Sequence, residues 1–510
     1  MKLNLQSLNN FPSSYTLPKF DIPAMTARTK AAPAWLHMGA GNIFRIMIGG
    51  IQQNLLDEGL TDTGIIAYEA FDDAIIPLSF APHDNLTLGI TLYANGNVDK
   101  RVVASIADAF CCNLPALCQV IAKPSLQMIS FTITENGYKV DPAKICSSPD
   151  KAITTLEQVA AGLLSRFQTG GKPIALVSMD NFAENGTQVE KAIVAIAQAW
   201  LKGGHVPADF VSYVKTMAYP WTMIDKITPR PSEEIAKMLA ADGYEDTEIS
   251  QTPKNTYVAS FVNAESAEYL VIEDNFPNGR PPLEESGVYM TDKETVRKMD
   301  QMKVCACLNP LHTILGVTGP LLKLPTIAAC MRDARLVKLL NQAANEALPT
   351  VADPGIIDPE DFLNVVLTER FPNPYIPDTP KRIACDTSQK IPVRFGVAMK
   401  VRKEKGLPIT NLEAVPLFIA MWLRYRMGLD DTGAPMELSP DPLLPEPVKV
   451  LSQMKFGDSL SKADLKPILS NADTFGVDLY EVGLGEKIEG LFYELSAGVG
   501  AVEQKLSELY

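Results

Sequence analysis

The sequence predicts a parallel α/β domain followed by a mostly α-helical one, and three observations carry that expectation. A chain of 510 residues is too long for one ordinary core. Through the first half, short apolar runs of strand length alternate with segments of helical periodicity. From Lys293 onward the strand pattern stops, leaving amphipathic helix candidates. The loop Asn275-Phe-Pro-Asn-Gly-Arg-Pro-Pro282 separates the two regimes, so the expected domains are residues 1–285 and 286–510.

The first elements read as β-α-β. Ala34 to Met38 is a short buried strand, and Gly39-Ala-Gly41-Asn-Ile-Phe-Arg45 follows it. Ile43 to Glu58 has apolar residues at helical spacing and stops at Gly59. A second strand, Gly64 to Tyr68, ends on Glu69, with Asp72 and Asp73 just beyond. Glycines at this turn let the backbone approach a pyrophosphate, which rests on the helix N-terminus. The third glycine of the full fingerprint is absent. A carboxylate at the end of the second strand accepts from ribose hydroxyls, which gives Glu69 its reading, although a plain loop cap is the competing one. No Arg or Lys lies between Gly64 and Pro77 to hold a 2′-phosphate, so NAD is favoured over NADP. The expected cofactor residues are Gly39, Gly41, Asn42, Phe44, Arg45 and Glu69, joined by Glu135 and Asp180 from the next strand ends.

Met128 to Thr134 forms a strand running into Glu135-Asn-Gly-Tyr138, where Asn-Gly suits positive φ. Ile174 to Met179 runs into Asp180-Asn181-Phe-Ala-Glu-Asn185-Gly186. Polar residues after the C-terminal end of a strand sit where ligands bind in open parallel sheets; a turn or N-cap role for Asn181 is the alternative. Tyr219-Pro-Trp-Thr-Met-Ile-Asp225-Lys-Ile-Thr-Pro229 is the next landmark. A charged stretch to about Asn255 reads as a surface excursion, and Tyr269 to Asp274 closes the strand-rich half.

In the second half, helices are expected over Met331–Leu348, Pro359–Thr368, Asn411–Met427 and Gly485–Leu509. Between them the Pro-rich stretch Arg370 to Arg394 reads as a long irregular loop carrying Lys381, Arg382, Lys390 and Arg394. Lys303-Val-Cys-Ala-Cys-Leu-Asn309-Pro-Leu-His312 is the most informative segment. Pro310 disfavours α geometry at Asn309, so a helix carrying Lys303 breaks there. A new helix then starts with Asn309 as N-cap and Pro310 at its first position, placing His312 in the first turn, where the dipole favours a neutral ring. A capped helix with one core histidine fits the same residues.

Composition excludes several classes. Hydrophobic residues make up 46% and charged residues 21%, as in a folded globular chain. Net charge is −14, from 46 basic and 60 acidic side chains, which argues against a nucleic-acid partner. No leader-like apolar stretch opens the chain, and no uninterrupted apolar run reaches membrane-span length. The eight cysteines lack framework spacing, so reduced thiols and a cytoplasmic location are expected. With only four histidines and neither HExxH nor CxxC, no metal site is expected; Cys305, Cys307 and His312 are a poor zinc set.

Several of these stretches together resemble the mannitol dehydrogenase family of long-chain polyol-specific dehydrogenases and reductases. They are Gly39 to Arg45, Thr132 to Tyr138, Ser178 to Gly186, Met223 to Pro229, Val271 to Pro281, Asn309 to His312 and Arg382 to Lys390, in family order over most of the chain. The resemblance implies a Rossmann-type N-terminal domain, a helical C-terminal domain and no catalytic zinc. It assigns Lys303 as general base, Asn181 and Asn309 as donors around the reacting oxygen, and His312 as a substrate-holding residue. Asp225, Arg382 and Lys390 complete the implied substrate set. Two features depart from the family pattern: one extra residue separates Lys303 from the Asn-x-x-His group, and Asn-Pro-Leu-His stands where Asn-Gly-Ser-His is usual.

The implied chemistry is interconversion of a secondary alcohol and a ketone. Without a metal, an amine base must take the hydroxyl proton, and burial is what brings such a base towards neutrality. Alcohol oxidation is then expected to rise with pH and ketone reduction to fall. Within the family the substrate is a sugar acid or a polyol. A carboxylate needs a fixed cation, and the 370–394 stretch supplies several, which favours mannonate/fructuronate over mannitol/fructose or tagaturonate. A monomer or small homo-oligomer is expected. Tyr289-Met-Thr-Asp-Lys293 spells the short-chain dehydrogenase motif in the wrong context. A 6-phosphogluconate-type enzyme would begin its glycine strand at the extreme N-terminus, and a non-catalytic NAD sensor would not need the Lys, Asn and His together.

Overall fold

Five strands of the N-terminal half pair in parallel: β1 (Trp35–Met38), β2 (Ile65–Glu69), β3 (Ile106–Cys111), β4 (Met128–Phe131) and β5 (Ala175–Ser178). Their order is β3-β2-β1-β4-β5, so winding reverses between β1 and β4, the switch point at which open α/β sheets bind ligands. Side chains alternate between two cores, as a period of two requires. Leu36, Met38, Ile66, Ile129, Phe131 and Leu176 pack under helices Leu114–Ala122, Thr155–Gln168 and Asn185–Lys202. Trp35, Ile65, Ala67, Met128, Ala175 and Val177 face the other way, against Phe44, Met47, Ile51 and Leu55. Both faces are covered, which is why these strands read as continuous apolar runs.

The computed structural model describes residues 1–458 and 460–509, and the chain divides into two compact units, Met1–Arg297 and Lys298–Tyr510. Strand Tyr289–Thr291 pairs in parallel with Val271–Glu273, which keeps the segment after the Pro-rich loop in the first unit. The division falls inside helix Lys293–Met302.

The first unit also holds strands the sequence reading passed over. Thr87–Leu92 and Val98–Val103 form an antiparallel hairpin, joined in parallel by Phe261–Glu265. The stretch expected to be a surface excursion contains helix Glu233–Ala241, capped by Ser232, and a short pairing of Ser250–Gln251 with Tyr257–Val258. β4 ends at Phe131 instead of reaching Thr134, because the Asp180 carboxylate takes the amides of Ile133 and Thr134 out of the ladder.

Among the described residues the regular elements of the second unit are all helices, with one isolated bridge, Leu429 to Pro435. Helix Ala414–Tyr425 is buried along its whole length, packed on Asn309–Leu321, Ala334–Ala347 and Gly485–Ser496. Its first turn is capped from another helix: buried Glu346 accepts from the N–H groups of Glu413 (2.7 Å), Ala414 (2.8 Å) and Val415 (3.0 Å). The single helix expected over Gly485–Leu509 is two, Gly485–Ser496 and Ala501–Ser507, with Gly500 at φ +78° between them. The helical run Lys293–Leu321 is long and apolar enough to cross a bilayer by composition, yet 72% of its apolar window is buried in protein. The Pro-rich stretch is not an irregular loop. It folds into short helices, Pro380–Ile383 and Thr387–Ile391, and a π-helical turn, Pro392–Gly396, which give its cations fixed directions.

Candidate functional site

In the first unit the glycine turn leaves β1. Gly39 sits at φ +104°, and a Cβ there would lie 2.4 Å from the Thr132 carbonyl oxygen, so only glycine fits. A Cβ on Gly41 would meet nothing within 4 Å, which leaves room for a ligand against the helix start at Asn42. Glu69 braces this turn. Its Oε2 accepts from the Ala40 N–H (2.8 Å), and its Oε1 from those of Phe71 (2.8 Å) and Asp72 (3.0 Å). Phe44 and Arg45 are not at the turn. Phe44 is buried and stacked on His37 at 4.1 Å. Arg45 is buried in a π-helical segment, donates to Thr87 Oγ1 (3.1 Å) and lies over the Phe80 ring, and burial pushes its guanidinium down to about 10.

The end of β5 is tied to the end of β4. Asp180 accepts from the N–H groups of Ile133 (2.8 Å) and Thr134 (3.1 Å) and from the Tyr138 hydroxyl (2.6 Å). Burial raises its carboxyl above the ordinary value, against the pull of those donors. Asp180 is thus a brace for the 133–138 turn. Asn181, next to it, is exposed, and the following helix begins at Asn185 after Glu184, so Asn181 is not its N-cap. Glu135 is exposed and paired with Lys139. A cleft of about 700 Å³ opens beside this turn, lined by Glu135, Tyr138, Lys139, Phe182, Gln188 and Lys191 among others. Asp225 is buried at the end of strand Thr222–Asp225. Asn185, not singled out from the sequence, binds Thr222 Oγ1 (2.8 Å) and the Asp180 carbonyl (3.1 Å), and so locks that strand to the β5 end. Lys293 of the Tyr-x-x-x-Lys match lies over the Trp221 ring at 4.3 Å.

In the second unit Lys303 opens a π-helical turn, Lys303–Cys307. A π turn holds one more residue than an α turn. That is the same count as the extra residue noted between Lys303 and the Asn-x-x-His group. The lysine side chain is 1% exposed, and its Nζ lies 3.8 Å from Asp300 Oδ1. The helix then breaks at Leu308 (φ −128°, ψ −65°). Leu308, not Asn309, is the residue before the new helix. Asn309 is its first residue and Pro310 its second, so the Asn309 side chain does no capping. The Asn309 carbonyl accepts from Thr313 Oγ1 (2.8 Å) and Arg394 Nη1 (3.3 Å).

His312 lies in the first turn as expected. Its Nε2 is 2.8 Å from Asp378 Oδ2, and its ring is tilted over Phe371 at 5.1 Å. Burial holds the imidazole below its ordinary value, with Asp378 opposing. Asp378 Oδ1 also accepts from Arg382 Nε (2.9 Å) and Nη2 (2.8 Å). Lys390 Nζ donates to the carbonyls of Ile383 (3.0 Å) and Cys385 (2.5 Å); burial, aided by Arg394, lowers its ammonium. Arg394, pushed down to about 10 by burial, completes a cluster richer in cations than in carboxylates. Lys303, Asn309, His312, Arg382 and Lys390 therefore belong to one unit, while Asn181 and Asp225 belong to the other.

Asp300 and Asp378 are the functional candidates that sequence reasoning missed. Asp300 had a signal, since three residues along a helix from a lysine puts the two on one face. Asp378 had none, because only the tertiary fold brings its turn to His312. Burial raises the thiols of Cys305 to about 11 and Cys307 to about 12, leaving them protonated. Among the described residues no three His, Cys, Asp or Glu side chains gather as a metal-ligand set.

Two family profiles match the chain: the mannitol dehydrogenase Rossmann domain over residues 33–285 and the mannitol dehydrogenase C-terminal domain over residues 295–490. A D-mannonate oxidoreductase of Thermotoga maritima is 46% identical, over 96% of this chain and 95% of that protein. Among solved structures, substrate-free D-sorbitol dehydrogenase superposes with a TM-score of 0.82 at 24% identity, covering 98% of this chain and all of that one. The ternary complex of Pseudomonas fluorescens mannitol 2-dehydrogenase with NAD and D-mannitol gives 0.72 at 23%, covering 100% and 99%. At those identities the two structures establish the shared fold.

Proposed function

Because the chain belongs to the mannitol dehydrogenase family, we propose that it is an NAD-dependent oxidoreductase interconverting D-mannonate and D-fructuronate. The observation that carries the substrate is the 46% identity, end to end, with a D-mannonate oxidoreductase. The cation-rich cluster of the second unit supports it, since an aldonate carboxylate requires fixed positive charge.

The first unit's turn at Gly39 and Gly41, with the helix start at Asn42, would hold the pyrophosphate; the open space at Gly41 fits that group. Glu69 spends three acceptor directions on backbone N–H groups, which leaves one for a ribose hydroxyl. When bound, the nicotinamide supplies the hydride acceptor.

Lys303 takes the proton from the substrate hydroxyl during oxidation and, as the ammonium, returns it during reduction. Asn309 donates an amide hydrogen to the oxygen as negative charge grows there, contributing about 2.7–4 kcal/mol. His312, Arg382 and Lys390 hold the remaining substrate oxygens.

The test is NADH-dependent reduction by purified, EDTA-treated protein, comparing fructuronate, tagaturonate and fructose. Turnover of fructuronate well above the other two is expected. Preference for fructose would make the chain a mannitol dehydrogenase, and NADH binding without turnover on any of the three would overturn the enzymatic reading.

A further inference from the structure

We propose that Asp378 fixes which nitrogen of His312 carries the proton, so that the histidine meets its substrate as a hydrogen-bond acceptor. The proposal rests on the substrate-holding role given to His312 above. Asp378 is held by its own backbone: its N–H donates to the Ile376 carbonyl (2.7 Å), and its carbonyl accepts from the Ile327 N–H (3.0 Å). Its side chain is buried and divides its oxygens between two elements. Oδ2 lies against His312 Nε2, on the helix after the π turn, and Oδ1 against Arg382, on the short helix Pro380–Ile383.

Nε2 and Asp378 Oδ2 lie 2.8 Å apart without hydrogen-bond alignment, and at that distance the carboxylate charge repels a lone pair on Nε2 and attracts an N–H, so Nε2 carries hydrogen. Burial favours the uncharged ring, and the lone pair of a neutral imidazole protonated at Nε2 is on Nδ1. Among the described residues no hydrogen bond to Nδ1 competes for it. Nδ1 thus accepts from a substrate hydroxyl, while Arg382, on the other oxygen of the same carboxylate, remains a donor. One buried carboxylate sets both polarities. Asp378 is a positioning residue: it acts through His312 and Arg382.

The experiment is ¹⁵N NMR of histidine-labelled protein near pH 7.5, where only four histidines contribute and His312→Asn assigns the signal. The native protein should show His312 protonated at Nε2. Asp378→Asn, whose amide can either donate or accept, should give the other tautomer or a mixture. It should also raise KM for the sugar acid about 10- to 100-fold, the range for losing a charged hydrogen-bond partner, with a smaller change in kcat. Arg382→Gln, which leaves Asp378 beside His312, should keep the native tautomer. An Nδ1–H signal in the native protein, or no change of tautomer in Asp378→Asn, overturns the proposal. Lack of turnover by the native protein would instead sink the functional reading, and the NMR result would still decide the role of Asp378.

Discussion

Asp300 Oδ1 and Lys303 Nζ face each other at 3.8 Å, one turn apart on the helix that leads to the break at Leu308, with the lysine out of solvent. Burial raises the Asp300 carboxyl above its ordinary value, and Lys303 opposes the rise. The aspartate is therefore the counter-charge facing the proposed base. Asp300→Asn removes it and should lower kcat for alcohol oxidation about tenfold, about 1.4 kcal/mol. Measurement of kcat in both directions checks this; an unchanged kcat means the pair does not control the proton step.

Gly39 and Gly41 should separate folding from binding. Gly39→Ala puts a methyl against the Thr132 carbonyl at a φ that L-residues avoid, and should lower Tm and cofactor affinity together. Gly41→Ala meets no protein atom, so Tm should hold while Kd for NADH rises about tenfold or more. Thermal scans and NADH fluorescence titrations of the two variants make the comparison. Unchanged NADH affinity in Gly41→Ala would remove the turn from the cofactor site.

His37 should give the protein an acid-sensitive first unit. It is fully buried, with Ser130 Oγ 2.6 Å from Nδ1 and Thr132 Oγ1 2.9 Å from Nε2; burial, opposed by a Gly39 backbone bond, lowers it from 6.5 to about 3. The folded value lies below the unfolded one, so the unfolded chain binds the extra proton. Its contribution is complete above pH 6.5 and is lost as pH falls towards 3. Between pH 6.5 and 5 the loss is about 2 kcal/mol. Calorimetry across that window should show it, and His37→Gln should flatten the slope even if it lowers stability overall.

The π turn should be removable. Deleting Val304 leaves an α-helical turn between Lys303 and Asn309 and should preserve helicity, with kcat within about tenfold of native. If deletion costs the about 10²–10⁴-fold expected for losing a general base, the turn is not a compensated insertion.

The sequence disclosed what depends on local pattern. The strands at Trp35, Ile65, Met128 and Ala175 are buried on both faces and announce themselves as apolar runs, and Gly39 marks a turn no other residue can make. What stayed hidden depends on partners distant in the chain. Thr87–Leu92 carries its apolar residues as an alternation, Leu88, Ile90 and Leu92, instead of a run, and its place beside Val98–Val103 and Phe261–Glu265 is set by pairing. Arg45 follows a glycine turn and is expected among the cofactor residues, yet the helix it belongs to directs it at Thr87 and Phe80. Asn309 has the composition of an N-cap, but the break comes one residue earlier, at Leu308, and frees its amide. At Lys303 the extra residue was visible from sequence, whereas the π turn there is a property of backbone hydrogen bonding.

The Glu346 cap also dictates a schedule for synthesis. The carboxylate and the N–H groups it serves lie 67 to 69 residues apart, so helix Ala334–Ala347 leaves the ribosome with an acid that has a donor in Gln342 of its own helix but not yet its three capping amides. The cap closes only once Ala414–Tyr425 has been made, and that helix then meets a negative charge already in place at its positive end.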